Sequence, residues 1–263
     1  MSEQILVERS GQAAVVVLNR VEKRNAITRS MLTEVGAAVS EAGRQPGVRA
    51  VLLRGNGPGF SAGIDLNAFA ELDASLGPGW RSRMQEVTET FQASLNAVAA
   101  CAVPTIALLH GFTLGLGLEL ALACDLRLAA AGTQLALPET RLGIIPDVGG
   151  TTRLTALVGP GRAKELIFTG RAVDAATAEH WGLVNEVAPA EALLERGLAL
   201  AAEIGRSAPL AVSAAKRVIR QLSEQEQGLR LEAWAQSLLV QTDDFAAGLR
   251  GAATKTATDW QGR

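Results

Sequence analysis

A glutamate set inside an apolar run is the first chemical signal in this chain. Glu119 lies in Leu114-Gly-Leu-Gly-Leu-Glu-Leu-Ala-Leu-Ala-Cys124, where a charge is costly unless it is paired or protonated. Two readings follow. The carboxylate is either structural, bonded to a buried arginine or to backbone amides, or it is a carboxyl whose pKa burial raises until it can move protons near neutral pH. Glu139 favours the second. It stands where a short apolar run ending in Pro138 gives way to the Gly/Pro-rich stretch 140–150, a loop position where active-site carboxylates are common. Alone it reads as a solvated charge or a partner of Arg141. Together, two carboxyls can activate one water and deliver one proton.

Gly115 and Gly117 mark a turn from loop into helix, where free N–H groups can stabilise an oxyanion; the plain alternative is close helix packing. The segment Gly59-Phe-Ser-Ala-Gly63 matches the Gly-x-Ser-x-Gly nucleophile elbow, with Ser61 as nucleophile and His180 or His110 as base. An elbow needs a strand running straight into its serine. Here Gly55-Asn-Gly-Pro58 intervenes, so the segment reads as a tight turn presenting backbone N–H groups. It lacks both the Gly-Lys-Ser/Thr of a phosphate loop and the dinucleotide fingerprint. Neither histidine has a partner at metal-ligand spacing, so both are assigned structural roles and no metal is expected.

These groups must be positioned by an α/β scaffold. Residues 13–18 and 48–54 read as strands with an amphipathic helix over 28–42 between them, N-capped by Thr28: a βαβ unit and a parallel sheet. Residues 67–79 read as a mobile loop over a site, followed by a helix over 80–99. A strand over 104–109, a short buried helix over 115–123, and strands over 126–130 and 134–137 complete the catalytic half. Helices are then predicted over 151–157, 161–168, 175–181, 190–204, 209–222 and 226–240. This predicts an α/β core over 1–200 and a helical C-terminal region over 201–263 that packs on the core and on a neighbouring subunit.

With 48% hydrophobic and 20% charged residues in 263, the chain can bury a full core. Its net charge of −2 provides no global field for nucleic acid or an anionic membrane. The uncharged stretch 90–118 would have to carry Pro104, Gly111, Gly115 and Gly117 through a bilayer, which argues against a span. Cys101 and Cys124 sit in apolar surroundings, and the first residues lack an export pattern, so a cytoplasmic protein is expected.

Four motifs, in order, carry a resemblance. Leu18-Asn-Arg-Val-Glu-Lys-Arg-Asn-Ala26, Gly59-Phe-Ser-Ala-Gly-Ile-Asp-Leu66, His110-Gly-Phe-Thr-Leu-Gly-Leu-Gly-Leu-Glu-Leu120 and Pro138-Glu-Thr-Arg-Leu-Gly-Ile-Ile-Pro-Asp-Val-Gly-Gly150 resemble the enoyl-CoA hydratase/isomerase (crotonase) family. So do 170–184 and 255–263. The resemblance implies a crotonase-like spiral of repeated ββα units with a helical trimerisation region, as a homotrimer or a hexamer of paired trimers. It implies an acyl-CoA thioester substrate, with coenzyme A carried as part of it and no separate cofactor. The N–H groups of Ile64 and Leu116 would form the oxyanion hole, shaped by Gly63 and the 115–117 glycines. Glu119 would act as base on water and Glu139 as proton donor to the α-carbon, the two titrating as a pair. Coenzyme A would lie along Lys23, Arg24 and Ala26 and the Ser61, Ala62, Gly63 and Ile64 turn, with Lys23 and Arg24 able to meet its phosphates.

Hydration of a trans-2-enoyl-CoA to a 3-hydroxyacyl-CoA is the reaction this implies. Three departures bear on it: Leu116 stands where hydratases often have glycine, Ile64 where alanine is commoner, and Asp147 where many have glycine. Related enoyl- and dienoyl-CoA isomerases place a catalytic aspartate there, so isomerisation with Glu139 and Asp147 is the alternative; a helix cap is the plain reading of Asp147. A non-catalytic RNA-binding or scaffolding member is a third possibility, opposed by the retained glutamates.

Overall fold

The computed structural model describes residues 4–262 other than 78, 223, 224 and 259. The first three residues, Pro78 of the expected 67–79 loop, and Asp259 and Arg263 of the C-terminal resemblance lie outside the described residues.

The main sheet has the order β1-β2-β3-β4-β6-β9, formed by β1 (Ile5–Ser10), β2 (Ala13–Leu18), β3 (Ala50–Gly55), β4 (Thr105–Leu109), β6 (Leu126–Ala130) and β9 (Glu186–Ala188). From β2 onward every pairing is parallel; only β1 joins antiparallel, as a hairpin on β2. Parallel strands must be covered on both faces, which explains why β2 reads as an unbroken apolar run and is buried throughout. Its side chains split by parity. Ala14, Val16 and Leu18 face the main core with Val51 and Leu53. Ala13, Val15 and Val17 face the other way with Leu52 and Leu108, under Leu193 and Ala201 of the later helix Leu193–Gly205.

Helix α1 (Arg29–Arg44) follows the 3.6-residue pattern, burying Met31, Leu32, Val35 and Val39, and Thr28 caps it by accepting the Met31 N–H. Helix α2 (Asn67–Leu76) occupies the segment expected to be a loop. The loop expectation is corrected here: Ala68, Phe69 and Leu72 recur at helical spacing and are buried, which outweighs the Gly77 that ends the helix. Phe69 packs edge-on against Phe245 at 5.3 Å. Helix α3 (Met84–Ala99) follows a short turn over Trp80–Arg83.

A second, three-stranded sheet in the order β5-β7-β8 carries the site. Its strands are β5 (Phe112–Leu114), β7 (Gln134–Ala136) and β8 (Val173–Asp174); β5, β8, β9 and β1 are too short or too polar to have been read from periodicity. Helix α4 (Leu116–Leu122) leaves β5, and α5 (Gly150–Thr169) is broken at Gly159 before Pro160, matching the two expected helices. The remainder is helical: α6 (Ala175–His180), α7 (Leu193–Gly205), α8 (Pro209–Leu222), α9 (Gln225–Leu239) and α10 (Asp243–Thr254), the last unexpected. α9 packs on α3 and α5.

Candidate active site

Strand register brings the motifs together. Ser61 bridges Thr113 in parallel, and Thr113 pairs with Leu135. Three residues beyond the first two lie Ile64 and Leu116, and four beyond Leu135 lies Glu139. The site is thus built at the carboxyl ends of neighbouring parallel strands, where α/β sheets commonly place ligands. Leu114 N–H donates to Ser61 O at 3.0 Å and Gly115 N–H to Ala136 O at 2.9 Å, locking the three segments.

The glycines allow this approach. A Cβ on Gly63 (φ +95) would meet Leu114 O at 2.8 Å and lie 3.6 Å from Leu116 N, and a Cβ on Gly115 (φ +51) would sit 2.7 Å from Glu139 Oε1. Leu116 is the first residue of α4, so its N–H has no intrahelical acceptor. Among the described residues neither this N–H nor that of Ile64 donates a hydrogen bond. Two free donors therefore stand on adjacent turns.

Glu119, Glu139 and Asp147 line one cavity with Ile64, Leu116 and Gln236, walled by apolar side chains of α2 and α3. It measures about 30 Å³, room for a water. Glu119 is 2% exposed. Its Oε1 accepts both the Val148 and Gly150 N–H at 2.8 Å, so the amide-bonded arrangement and the cavity-facing one coexist. Among the described residues, Glu139 Oε2 is buried without a hydrogen-bond partner. Asp147 Oδ2 accepts the Thr88 hydroxyl at 2.7 Å, and Gln92 holds the Asp147 carbonyl at 2.7 Å.

Burial, followed by the charges of Glu139, Asp147 and Glu232, pushes the Glu119 carboxyl well above its usual range, against the Val148 hydrogen bond. Burial also raises Glu139 to about 8 and Asp147 to about 7. Glu139 and Asp147 then hold protons through part of the physiological range. A stability effect follows. Between about 4.5, its usual value, and about 8, the folded protein holds a proton on Glu139 that the unfolded chain has released, so stability falls as pH rises through that window. Glu139→Gln removes the dependence. The melting temperature of the variant relative to the parent is expected to increase from about pH 5 to about pH 8; a gap that does not change would show that Glu139 is not held neutral by the fold.

The Asp147 cap reading is corrected: Gly149 is the N-cap of α5, with no side-chain cap hydrogen bond, and the Asp147 carboxyl is turned to Thr88. The hydrolase reading also fails. Ser61 is fully buried, donates to Asn25 O at 2.8 Å and accepts the Gly63 N–H at 3.1 Å, while His110 bonds to Gly57 O. Ser61 holds the turn. The expected coenzyme A segments do lie side by side: Ala62 N–H donates to Arg24 O at 3.0 Å and Ile27 N–H to Gly63 O at 2.7 Å. Lys23 and Arg24 are exposed beside them, and Ala26 is half-buried.

Sequence reasoning missed Asn25, whose buried amide donates to the Asn56 and Gly59 carbonyls and accepts from Arg20 N–H. It also missed Thr88, Gln92, Glu232 and Gln236. The available signal was polar residues at apolar helical positions: Thr88 and Gln92 one turn apart on α3, Glu232 and Gln236 one turn apart on α9.

The family model described as enoyl-CoA hydratase/isomerase matches residues 8–263. The chain belongs to the enoyl-CoA hydratase/isomerase family. A probable enoyl-CoA hydratase of Mycobacterium tuberculosis is 34% identical over 99% of both chains. A 2,3-dehydroadipyl-CoA hydratase of Escherichia coli is 34% identical over the full length of both. The crystal structure of a carnitinyl-CoA hydratase from Mycobacterium avium superposes with a TM-score of 0.86 at 33% identity, covering all of both chains. The crotonase fold expected from the motifs is therefore the fold of this enoyl-CoA hydratase/isomerase family member. No helix among its described residues is long and apolar enough to cross a membrane.

Proposed function

We propose that the chain is an enoyl-CoA hydratase, adding water syn across the 2,3 double bond of a trans-2-enoyl-CoA to give a 3-hydroxyacyl-CoA. The observation that carries this is one buried cavity on which Glu119 and Glu139 both open, beside the two free N–H groups of Ile64 and Leu116. The thioester oxygen accepts those N–H groups as negative charge builds on it; one such donor can contribute about 3 kcal/mol to lowering the barrier. Glu119 takes a proton from water as its oxygen attacks C3. Glu139 gives a proton to C2. The C2–C3 π bond, one O–H bond of water and the Glu139 O–H bond break; C–O, C–H and a Glu119 O–H bond form, so the pair exchanges protonation states, to be reset by solvent.

The names of the relatives denote CoA thioesters, which supports that substrate class. Coenzyme A would run along Lys23 to Ala26 and the 61–64 turn, with no separate cofactor. The acyl group must widen the cavity against α2 and α3. Exposed apolar side chains on α8, with Leu210 at 85%, Ile219 at 68% and Leu222 at 76%, support assembly through the C-terminal region as a trimer or hexamer.

Isomerisation is the second reading, favoured by Asp147 lining the same cavity with a carboxyl raised to about 7. Glu139 and Asp147 would then shuttle a proton along the acyl chain, and no water would be added. Incubating the protein with a short trans-2-enoyl-CoA and following the conjugated thioester absorbance tests the proposal: hydration abolishes that absorbance.

A further inference from the structure

Helix α9 comes from the C-terminal region yet reaches the site with Glu232 and Gln236, 2% and 1% exposed. Gln236 lines the cavity and accepts the Ile145 N–H at 3.3 Å. Glu232 stands behind it. Its Oε2 accepts the Gly149 N–H at 2.6 Å and its Oε1 the Thr152 N–H at 2.5 Å. Glu119 accepts from Val148 and Gly150. The Val148, Gly149, Gly150 and Thr152 N–H groups thus alternate between two buried side chains, one from α4 and one from α9, while the Thr151 N–H turns back to Pro146 O.

That arrangement follows from the backbone. The position preceding α5 is Gly149 at φ +96, and a Cβ there would collide with the Arg153 guanidinium. No local side chain can cap α5, so its N–H groups are satisfied from elsewhere. Glu232 satisfies two of them, and the N-terminal end of α5 and the nearby Arg153 charge offset part of its burial. Arg153 in turn donates to Val148 O at 3.0 Å and Asn96 at 2.7 Å. From the other side, Gln92 ties Asp147 O to Leu229 O on α9.

We propose that Glu232 is a positioning residue for Glu119: by fixing Gly149 and Thr152, it sets the 147–152 turn so that Val148 and Gly150 hold one Glu119 oxygen and leave the other for proton transfer. The C-terminal helix is then part of the active site. The proposal rests on the reading of Glu119 as a proton acceptor.

The test is a double-mutant cycle with Glu232→Gln and Glu119→Gln, assayed for kcat and KM on a short trans-2-enoyl-CoA. It is joined by the infrared carboxyl band of Glu119, isolated by subtracting the Glu119→Gln spectrum. Glu232→Gln is expected to lower kcat on the order of 10-fold with KM changed less than about 3-fold. In the Glu119→Gln background the further loss should be under about 2-fold, because the effect passes through Glu119. The Glu119 band should shift. Equal fold-losses in both backgrounds, or a folded Glu232→Gln protein with full kcat and an unmoved band, would overturn the proposal. Should Glu232→Gln fail to fold, Glu232→Asp, which keeps the charge and withdraws it, is run through the same cycle with the same criteria. If the parent protein turns over no enoyl-CoA, the hydratase reading fails, and the band, which needs no substrate, decides the positioning role by itself.

Discussion

Glu119→Gln is expected to lower turnover of a short trans-2-enoyl-CoA by at least ~100-fold while leaving coenzyme A affinity nearly unchanged, as loss of an acid/base group should. The physical case is specific to this site. The glutamine oxygen can take over the Val148 and Gly150 N–H groups that Glu119 Oε1 now accepts, so the turn keeps its shape. What is lost is the second oxygen. An amide nitrogen facing the cavity accepts no proton from water. Coenzyme A would lie along residues 23–26 and the 61–64 turn, which share with the Glu119 cavity the Ile64 wall but not the Glu119 carboxyl, so its binding has no reason to weaken. Glu139→Gln should cost turnover at least as steeply, since its unpartnered Oε2 is the oxygen assigned to carry the proton for C2. Turnover unchanged in both variants would remove the two-carboxyl mechanism.

The second large effect concerns the N–H of Leu116. As the first residue of α4, it occupies the one helical position where proline is readily tolerated, because the N–H there is free in any case. Leu116→Pro therefore deletes a proposed oxyanion donor while sparing the helix. It also deletes a side chain that is 4% exposed, so the comparison must be with Leu116→Ala, which loses the packing and keeps the N–H. Leu116→Pro should turn over ~100-fold or more slowly than Leu116→Ala, the usual cost of one oxyanion donor. Similar kcat values for the two folded variants would mean that this N–H does not hold the thioester oxygen.

How far the sequence could be read depended on what each signal requires. β2 was legible because a parallel strand covered on both faces is apolar at every position. Glu119 was legible because its neighbours declare it buried. The α2 expectation failed where Gly77 and the looser pattern of 67–79 outweighed the spacing of Ala68, Phe69 and Leu72. Asp147 was recognised as significant, but its hydroxyl partner Thr88 lies 59 residues away. Glu232, 83 residues from the amide it holds, could not be placed by local pattern at all. Long-range polar pairing leaves only an anomaly in the periodicity of each helix, without naming the partner.

The most direct test of the central claim is the absorbance of the conjugated thioester in ¹⁸O-enriched water, with the product analysed by mass. The absorbance is expected to fall, with a 3-hydroxyacyl-CoA carrying one ¹⁸O at C3 as product. Absorbance that stays flat across acyl chain lengths, with no label gained, would contradict it and leave Asp147 and Glu139 as the pair that moves a double bond.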